Sequence, residues 1–109
     1  MMHGVRSNGH ASAVLGVPHA LPPHMHEAVI ELSQLQTKLA DRGHGWAKKL
    51  LTEICDEADA AGKVLFLLVD PPDTMDRLRL KRFYGRFGFG DIQAEPLLMT
   101  RAPKFWLKE

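Results

Sequence analysis

The sequence contains one cysteine, Cys55, among 109 residues. A single cysteine excludes an internal disulfide and a zinc site built from several thiolates, and it suits a reducing compartment. Cys55 lies within a pattern of apolar residues at helical spacing, so we expect it to be a small apolar residue of a helix and not a required nucleophile.

An excess of charge of either sign is also absent. Fourteen Lys and Arg residues stand against 13 Asp and Glu, which gives a formal net charge of +1. No global field therefore draws the protein to nucleic acid or to a membrane surface. No apolar run approaches the ~20 residues that cross a bilayer, and the first ten residues lack the apolar segment of a secretory signal. We expect a cytoplasmic protein.

Aromatic residues are scarce at 7%, whereas apolar residues make up 45% and charged residues 25%, as in ordinary folded domains. A chain of this length supports one hydrophobic core but not two, so we expect residues 1–109 to form a single domain. Residues 1–10 are rich in small polar residues and poor in apolar anchors. We expect this end to be flexible.

Several segments show strand-like patterns. Residues 11–17 form a short apolar run that ends before the prolines of a connector. Residues 63–70 form a continuous apolar run, as in a strand buried on both faces, and residues 89–100 supply one or two further strands. Residues 28–39 are ambiguous, because apolar residues recur at helical spacing while others are β-branched, and the local pattern slightly favours a helix.

Two further segments predict helices. After Gly45, apolar side chains form one helical stripe, and Gly62 is a suitable C-cap. The second helix is predicted between residues 73 and 86. Its apolar stripe continues to the residue that follows, and it consists of Leu80, Phe83, Tyr84 and Phe87. The resulting order of strand, glycine turn, helix, strand, helix and strand predicts an α/β (α+β) layered structure in which helices cover a sheet.

The turn Arg42-Gly43-His44-Gly45 directly precedes the first predicted helix. Two closely spaced glycines let a ligand approach the backbone, and a helix N-terminus offers unpaired N–H groups and partial positive charge. This arrangement suits a diphosphate, although a tight turn that binds nothing has the same spacing. The spacing excludes a P-loop and the dinucleotide fingerprint, because Gly-Lys-Ser/Thr and a third glycine are both missing.

Two segments carry the resemblance to a known family. Glu31-Leu32-Ser33-Gln34-Leu35-Gln36-Thr37, followed by Leu39-Ala40-Asp41-Arg42-Gly43-His44-Gly45-Trp46-Ala47, resembles the strand, pyrophosphate loop and helix of GNAT acetyltransferases. Leu80-Lys81-Arg82-Phe83-Tyr84-Gly85-Arg86-Phe87-Gly88-Phe89 resembles their second signature, a helix that carries a tyrosine and ends in Gly-Phe. The resemblance covers about residues 28–101. It implies a mixed sheet with helices on its faces, in which residues 28–39 form a splayed strand despite their helical spacing.

The resemblance also implies an activity: transfer of an acetyl group from acetyl-CoA to a primary amine by direct attack in a ternary complex. By position it implies that Leu35 and Thr37 bind the pantetheine arm. It likewise implies that the diphosphate is bound by Arg42, Gly43, His44, Gly45, Trp46 and Ala47. It makes Tyr84 the acid that protonates the departing thiolate and Glu31 a general base acting through water. The alternatives are a core aromatic for Tyr84 and a solvent-facing or ion-paired strand residue for Glu31.

Three features differ from the family pattern. Ala40 stands where the family usually has Gln or Arg, Arg77 stands where it often has Asn, and only residues 1–27 precede the central strand, in place of a strand and two helices. An open acceptor site, a second subunit that completes it, or an acyl-CoA-binding module without turnover would each account for the short N-terminal part. The apolar residues Phe105, Trp106 and Leu107 are candidates for a homodimer contact.

Two other clusters suggest rival functions. His19, His24 and His26 are potential metal ligands, but no cysteine or carboxylate except Glu27 joins them at a recognisable spacing, so we expect solvated histidines and no metal. The basic residues between positions 77 and 86 lack stacking aromatics on the same face, so we expect a solvated helix surface without nucleic acid. One or two of these cations are candidates to contact the 3′-phosphate of CoA.

Overall fold

The computed structural model describes residues 2–38, 43–69, 74–94 and 96–104. Its strands and helices, in chain order, are β1 (Gly4–Ser7), β2 (Ala11–Gly16), a 3₁₀ turn (Pro23–Met25), β3 (Val29–Thr37), α1 (Trp46–Ala61), β4 (Val64–Val69), α2 (Thr74–Gly85), β5 (Gly90–Ala94) and β6 (Leu97–Arg101). The strands form one sheet in the order β1-β2-β3-β4-β6-β5. Only β3 and β4 run parallel, whereas the other neighbours are antiparallel. The predicted α/β class with a mixed sheet is confirmed.

Both helices contribute to one hydrophobic core on a single face of the sheet, which we call the core face. Alternate strand residues point into this core, as burial and cross-strand pairing show: Ala11, Ala13, Leu15, Ile30, Leu32, Leu65, Leu67, Val69, Leu97 and Met99. Helix α1 adds Leu50, Leu51, Ile54, Cys55 and Ala58. The predicted stripe of α2, including Phe83 and Tyr84, packs against the same cluster. No helix in the described part of the chain is long and apolar enough to cross a membrane.

The opposite side of the sheet, which we call the far face, is more polar. Glu31 and Ser33 lie on it, because they alternate with Leu32 of the core face and pair with Gly16 and Val14 of β2. Strand β4 adds Phe66, which is 1% exposed, and Leu68, which is 50% exposed. The prediction that β4 is buried on both faces therefore holds except at Leu68.

Residues 29–37 of the ambiguous segment form a strand, so the local preference for a helix is wrong there. β3 pairs with β2 along most of its length and with β4 at residues 29–31, and these two ladders satisfy many of its backbone groups. This tertiary pairing overrides the helical spacing of the apolar residues.

Residues 2–10 differ from the expected flexible end. β1 pairs with β2 along its whole length, Met2 is 8% exposed, and Arg6 Nη2 donates to Glu57 Oε1 of α1 at 2.7 Å. The turn between the strands is built by Asn8, whose Oδ1 accepts the backbone N–H groups of His10 (3.0 Å) and Ala11 (2.8 Å). Asn-Gly is a residue pair typical of β-hairpin turns, and the turn at Asn8-Gly9 explains why this segment is ordered.

A buried cation connects three elements at one end of the core. Arg101 of β6 donates from Nη1 and Nη2 to the two carboxylate oxygens of Asp59 on α1, at 2.9 and 3.0 Å. Its Nε donates to the carbonyl oxygen of Phe87 at 2.6 Å, and its side chain is 4% exposed. The hydrogen bonds from Arg101 lower the pKa of Asp59.

Replacing Asp59 by Ala leaves the buried guanidinium without its carboxylate, so we expect a loss of about 3 kcal/mol in the free energy of unfolding. Because the pKa of Asp59 is lower in the folded state than in the unfolded chain, its contribution is present above the unfolded pKa of about 3.9 and is lost as the pH falls through the folded pKa. The variant should therefore lose less stability than the native protein on acidification.

Urea denaturation between pH 3 and pH 7 measures both effects. Glu57→Ala is the matched control, because the Arg6–Glu57 pair lies nearer the surface, with side chains 28% and 44% exposed, and surface pairs contribute about 0–1 kcal/mol. Equal losses for the two variants would contradict the account.

Candidate functional site

The two parallel strands at the centre of the sheet stay paired over only three positions. Val29 pairs with Val64, Ile30 with Leu65, and Glu31 with Phe66. Both strands continue past this point, but the described residues 32–37 of β3 and 67–69 of β4 form no further pairs with each other. A gap therefore opens between the strands beyond Glu31, and the edge of β3 that faces β4 has backbone N–H and C=O groups available there.

A β-bulge lies on the part of β3 that borders the gap. Val14 pairs with Ser33 and Ser12 with Gln36, so Gln34 and Leu35 together oppose the single residue Ala13. Gln34 has φ 52, and among the described residues it alone has a positive φ without being glycine. Bulges bend a strand and increase its twist, which accounts for the divergence of β3 from β4.

A cavity of about 300 Å³ lies between the C-terminal half of β3, the start of α1 and helix α2. Its walls bring together four of the residues predicted for the site, namely Leu35, Thr37, Ala47 and Tyr84. Arg79 and Phe83 of α2 also line it. The cavity is mostly apolar at its sides and has a phenol at one wall, so it suits a flexible chain with a reactive end.

The glycine turn leads into α1 in a conformation that leaves the helix N-terminus open. Gly43 and Gly45 have φ 86 and 77, a left-handed backbone that favours glycine. Gly45 is the N-cap, and no side-chain hydrogen bond caps the helix. Residues 43–45 are exposed, so the first-turn amides, which have no acceptor within the helix, are accessible to an anion. Arg42 lies outside the described residues.

Trp46, the first residue of α1, is fixed by the hairpin between β1 and β2. The His10 ring stacks on the Trp46 ring, with centroids 3.8 Å apart and an interplanar angle of 13°. Asn8 Nδ2 donates to the Trp46 carbonyl oxygen at 3.0 Å, and Lys49 Nζ lies 4.8 Å from the indole centroid. The hairpin thus holds the first turn of the helix, and Lys49 of the helix itself adds a cation there. None of these three neighbours was predicted to belong to the site.

Tyr84 is half-buried and held by aromatic neighbours. Its ring makes edge-on contacts with Phe83 and Phe89, at centroid distances of 5.3 and 5.6 Å. Burial raises the pKa of Tyr84, so the phenol is protonated at neutral pH. Cys55 is 4% exposed, and burial raises the pKa of its thiol to about 11, as expected for a core residue and not for a nucleophile.

Glu31 and Tyr84 do not share a surface. Glu31 is partly exposed on the far face, where it pairs with Gly16 and Phe66. The cavity lined by Tyr84 is on the core side of β3 and does not include Glu31. Glu31 is the last residue of β3 that pairs with β4 before the gap.

Two of the three histidines considered as metal ligands lie together, with the ring centroids of His19 and His26 6.3 Å apart. In the described ranges, no group of three or more His, Cys, Asp or Glu residues is arranged to hold a metal. His26 Nε2 lies 2.9 Å from the Leu21 carbonyl oxygen, and Lys81 of the basic helix α2 pairs with Asp91 at 2.7 Å. A larger cavity of about 750 Å³ near Ile30 and Glu57 lies at the far end of α1; His26 and Glu27 line it, but none of the residues predicted for acyl transfer does.

Comparison by sequence finds no matching family model and no matching curated protein, whereas comparison of structures finds similar folds. An acyl-CoA N-acyltransferase from Pseudomonas aeruginosa is 24% identical with a TM-score of 0.60, over 85% of this chain and 60% of that one. The GNAT-family N-acetyltransferase YhbS from Escherichia coli, solved with CoA, is 18% identical with a TM-score of 0.58, over 85% and 51% of the two chains. Anti-CRISPR protein AcrVA5 is 15% identical with a TM-score of 0.67, over 91% of this chain and 99% of that one.

The chain therefore has the fold of GNAT N-acetyltransferases, which confirms at the level of the fold the resemblance inferred from the two signatures. The chain spans 60% and 51% of the length of the two acyltransferases, but nearly all of AcrVA5. The predicted residues Phe105, Trp106 and Leu107 of a homodimer contact lie outside the described residues.

Replacing His10 by Ala removes the ring that covers Trp46. We expect the fluorescence of Trp46 to shift to longer wavelength, because more of the indole contacts water, and the free energy of unfolding to fall by about 0.5–1.5 kcal/mol. A Trp106→Phe background leaves Trp46 as the single tryptophan of the two in the sequence. His24→Ala, on an exposed residue, is the control, and an unchanged emission maximum in His10→Ala would refute the stacking.

Proposed function

We propose that the protein is an N-acyltransferase that moves an acetyl group from acetyl-CoA to a primary amine by direct attack. The observation that carries this proposal is the cavity that opens where β3 leaves β4, immediately beside the uncapped N-terminus of α1. A ligand that carries a diphosphate on a long flexible arm would fit both features, with the diphosphate at the helix N-terminus and the arm in the cavity. The likeness of the fold to an acyl-CoA N-acyltransferase and to a GNAT protein solved with CoA supports the choice of donor.

The donor would bind by main-chain groups for most of its length. Its diphosphate accepts hydrogen bonds from the amides that follow Gly43 and Gly45, where the helix dipole favours negative charge. Lys49, beside Trp46, adds a positive charge at the same place. The pantetheine amides lie along residues 35–37 and pair with the free edge of β3, in the manner of an added strand.

The reaction needs a neutral amine, a polarised thioester carbonyl and a proton for the leaving thiolate. The amine nitrogen attacks the thioester carbon, a C–N bond forms, the C–S bond breaks, and the sulfur leaves with the electron pair. Tyr84 donates its phenolic proton to that sulfur, since burial keeps the phenol protonated and the residue lines the cavity. The phenolate then recovers a proton from solvent.

Glu31 is proposed to accept the proton of the amine through water. It lies on the far face at the position where the parallel ladder ends, so it borders the gap from the side opposite to Tyr84. The acceptor would then approach from the far face while the donor lies on the core side. A base and an acid on opposite sides of the reacting carbon suit direct transfer between two bound substrates.

Gly45→Glu should abolish binding of acetyl-CoA measured by calorimetry, because it places a carboxylate among the amides assigned to the diphosphate. Gly62→Glu is the matched control. It adds the same side chain at the other end of α1, where glycine has a similar left-handed backbone, φ 69 against 77. If Gly45→Glu binds acetyl-CoA as tightly as Gly62→Glu does, the assigned diphosphate site is wrong.

Tyr84→Phe should reduce kcat by about 100-fold, the lower range for loss of a general acid, while acetyl-CoA affinity stays within twofold. Release of the CoA thiol across a panel of primary amines measures turnover. Phe87→Leu, which alters aromatic packing in the turn that follows α2, controls for loss of structure. Unchanged turnover in Tyr84→Phe would remove the tyrosine from the mechanism. Tight acetyl-CoA binding by the native protein without thiol release for any amine would instead indicate a binding module.

A further inference from the structure

A row of residues crosses the far face of the sheet, and the gap between β3 and β4 divides it. We call it the far-face row: Val5, Val14, Ser33, Leu68 and Leu98. On one side of the gap Val5 pairs with Val14, and Val14 pairs with Ser33. On the other side Leu68 pairs with Leu98. At the usual spacing of strands the row is at least about 19 Å long.

The far-face row lies level with the place assigned to the reaction. The parallel ladder ends where Glu31 pairs with Phe66. Ser33 and Leu68 each follow that pair by two residues, which is about 7 Å along a strand. Leu35, which lines the cavity assigned to the donor, follows Ser33 by two residues. The row therefore crosses the gap between the proposed base and the donor.

The apolar members of the row are accessible. Val5 is 73% exposed and Leu68 is 50% exposed, and Val14 and Leu98 are half-buried. The two described helices pack on the core face, so neither covers the row. The cavities of about 300 and 750 Å³ include none of its residues. The row is thus an open apolar surface, which suits a macromolecular partner better than a small molecule.

The charge beside the row is negative. Among the described strand residues on the far face, only Glu31 is ionisable. No ion pair between described residues involves its carboxylate. A carboxylate without a counter-ion, next to an apolar surface, is complementary to a cation that is flanked by apolar groups.

We infer that the far-face row binds an extended polypeptide that carries a lysine flanked by apolar residues. The inference rests on the proposed acyl transfer and names its acceptor as the side-chain amine of a polypeptide. About six extended residues span the row, so apolar side chains of the partner contact both ends of it while the lysine enters the gap between Ser33 and Leu68. The neutral ε-nitrogen attacks the thioester carbon and gives up a proton through water to Glu31. The C–S bond breaks, and CoA leaves as the thiol with the proton from Tyr84.

The first test measures binding without turnover. Two blocked peptides of about six residues, the length that spans the row, carry one lysine each, flanked by leucines in one and by serines in the other. The leucine peptide, titrated into ¹⁵N-labelled protein saturated with CoA, should shift the backbone amide signals of Val5, Val14, Ser33 and Leu68 saturably. The serine peptide should bind about tenfold more weakly, because it buries less apolar surface. Equal affinity for the two peptides, or no saturable shift at the row with either, would overturn the inference.

The second test uses Leu68→Ser, with Leu78→Ser as the matched control. Leu78 is 44% exposed against 50% for Leu68, but it lies on α2, which packs on the core face. Leu68→Ser should lower kcat/KM for the leucine peptide about tenfold and leave the values for the serine peptide unchanged, whereas Leu78→Ser should change neither. Val5→Ser, at the other end of the row, should act in the same direction, so a folding defect in one variant does not decide the outcome. Unchanged kcat/KM for the leucine peptide in both row variants would contradict the inference.

The remaining outcomes separate this inference from the proposed function. If the amide signals of the row move with protein concentration in the absence of peptide, and sedimentation shows a dimer, the row pairs two copies and the inference fails. Acetylation of free Nα-acetyl-lysine amide as efficiently as of the leucine peptide would keep the acyl transfer and remove the polypeptide acceptor. Binding of the leucine peptide at the row without any binding of acetyl-CoA would refute the proposed function and keep the docking surface.

Discussion

The early end of the parallel ladder between β3 and β4 is the feature on which the rest of the site depends. Pairing stops at Glu31 and Phe66, and the bulge at Gln34 turns β3 away. A fully paired sheet would seal the core at this position and would satisfy the edge of β3. Because the strands separate, β3 instead has a free edge beyond Glu31, and the N-terminus of α1, which no side chain caps, follows the end of this strand. The bulge at Gln34 thus accompanies the gap beside which the candidate site lies.

The two faces of the sheet beside this gap differ in chemistry. On the core side the cavity is lined by Leu35, Ala47 and Tyr84, so most of its wall is apolar. On the far face the polar residue Glu31 is the last residue of β3 that pairs with β4. The His10–Trp46 stack joins the hairpin to the first turn of α1.

Sequence patterns predicted the parts of the fold that depend on local chemistry. The glycines at 43 and 45, the helical stripe that follows them and the aromatic stripe containing Tyr84 lie where periodicity and turn chemistry indicated. The splayed strand was obtained from the family resemblance, since its own spacing favoured a helix. The Asn8-Gly9 pair is a local sequence signal for the hairpin. The polar composition of the first ten residues instead suggested a flexible end. The positive φ of Gln34, the contact of His10 with Trp46 and the far-face row arise from tertiary pairing, which no local pattern encodes.

The central claim is that the backbone amides after the glycine turn hold a diphosphate while the arm behind it follows the free edge of β3. Titration of CoA into the ¹⁵N-labelled native protein, followed through the backbone amide signals, tests it most directly. We predict the largest shifts at residues 43–48 and 35–37, with smaller ones around Tyr84. Shifts confined to the large cavity near Ile30 and Glu57, or no saturable shift at all, would contradict the account.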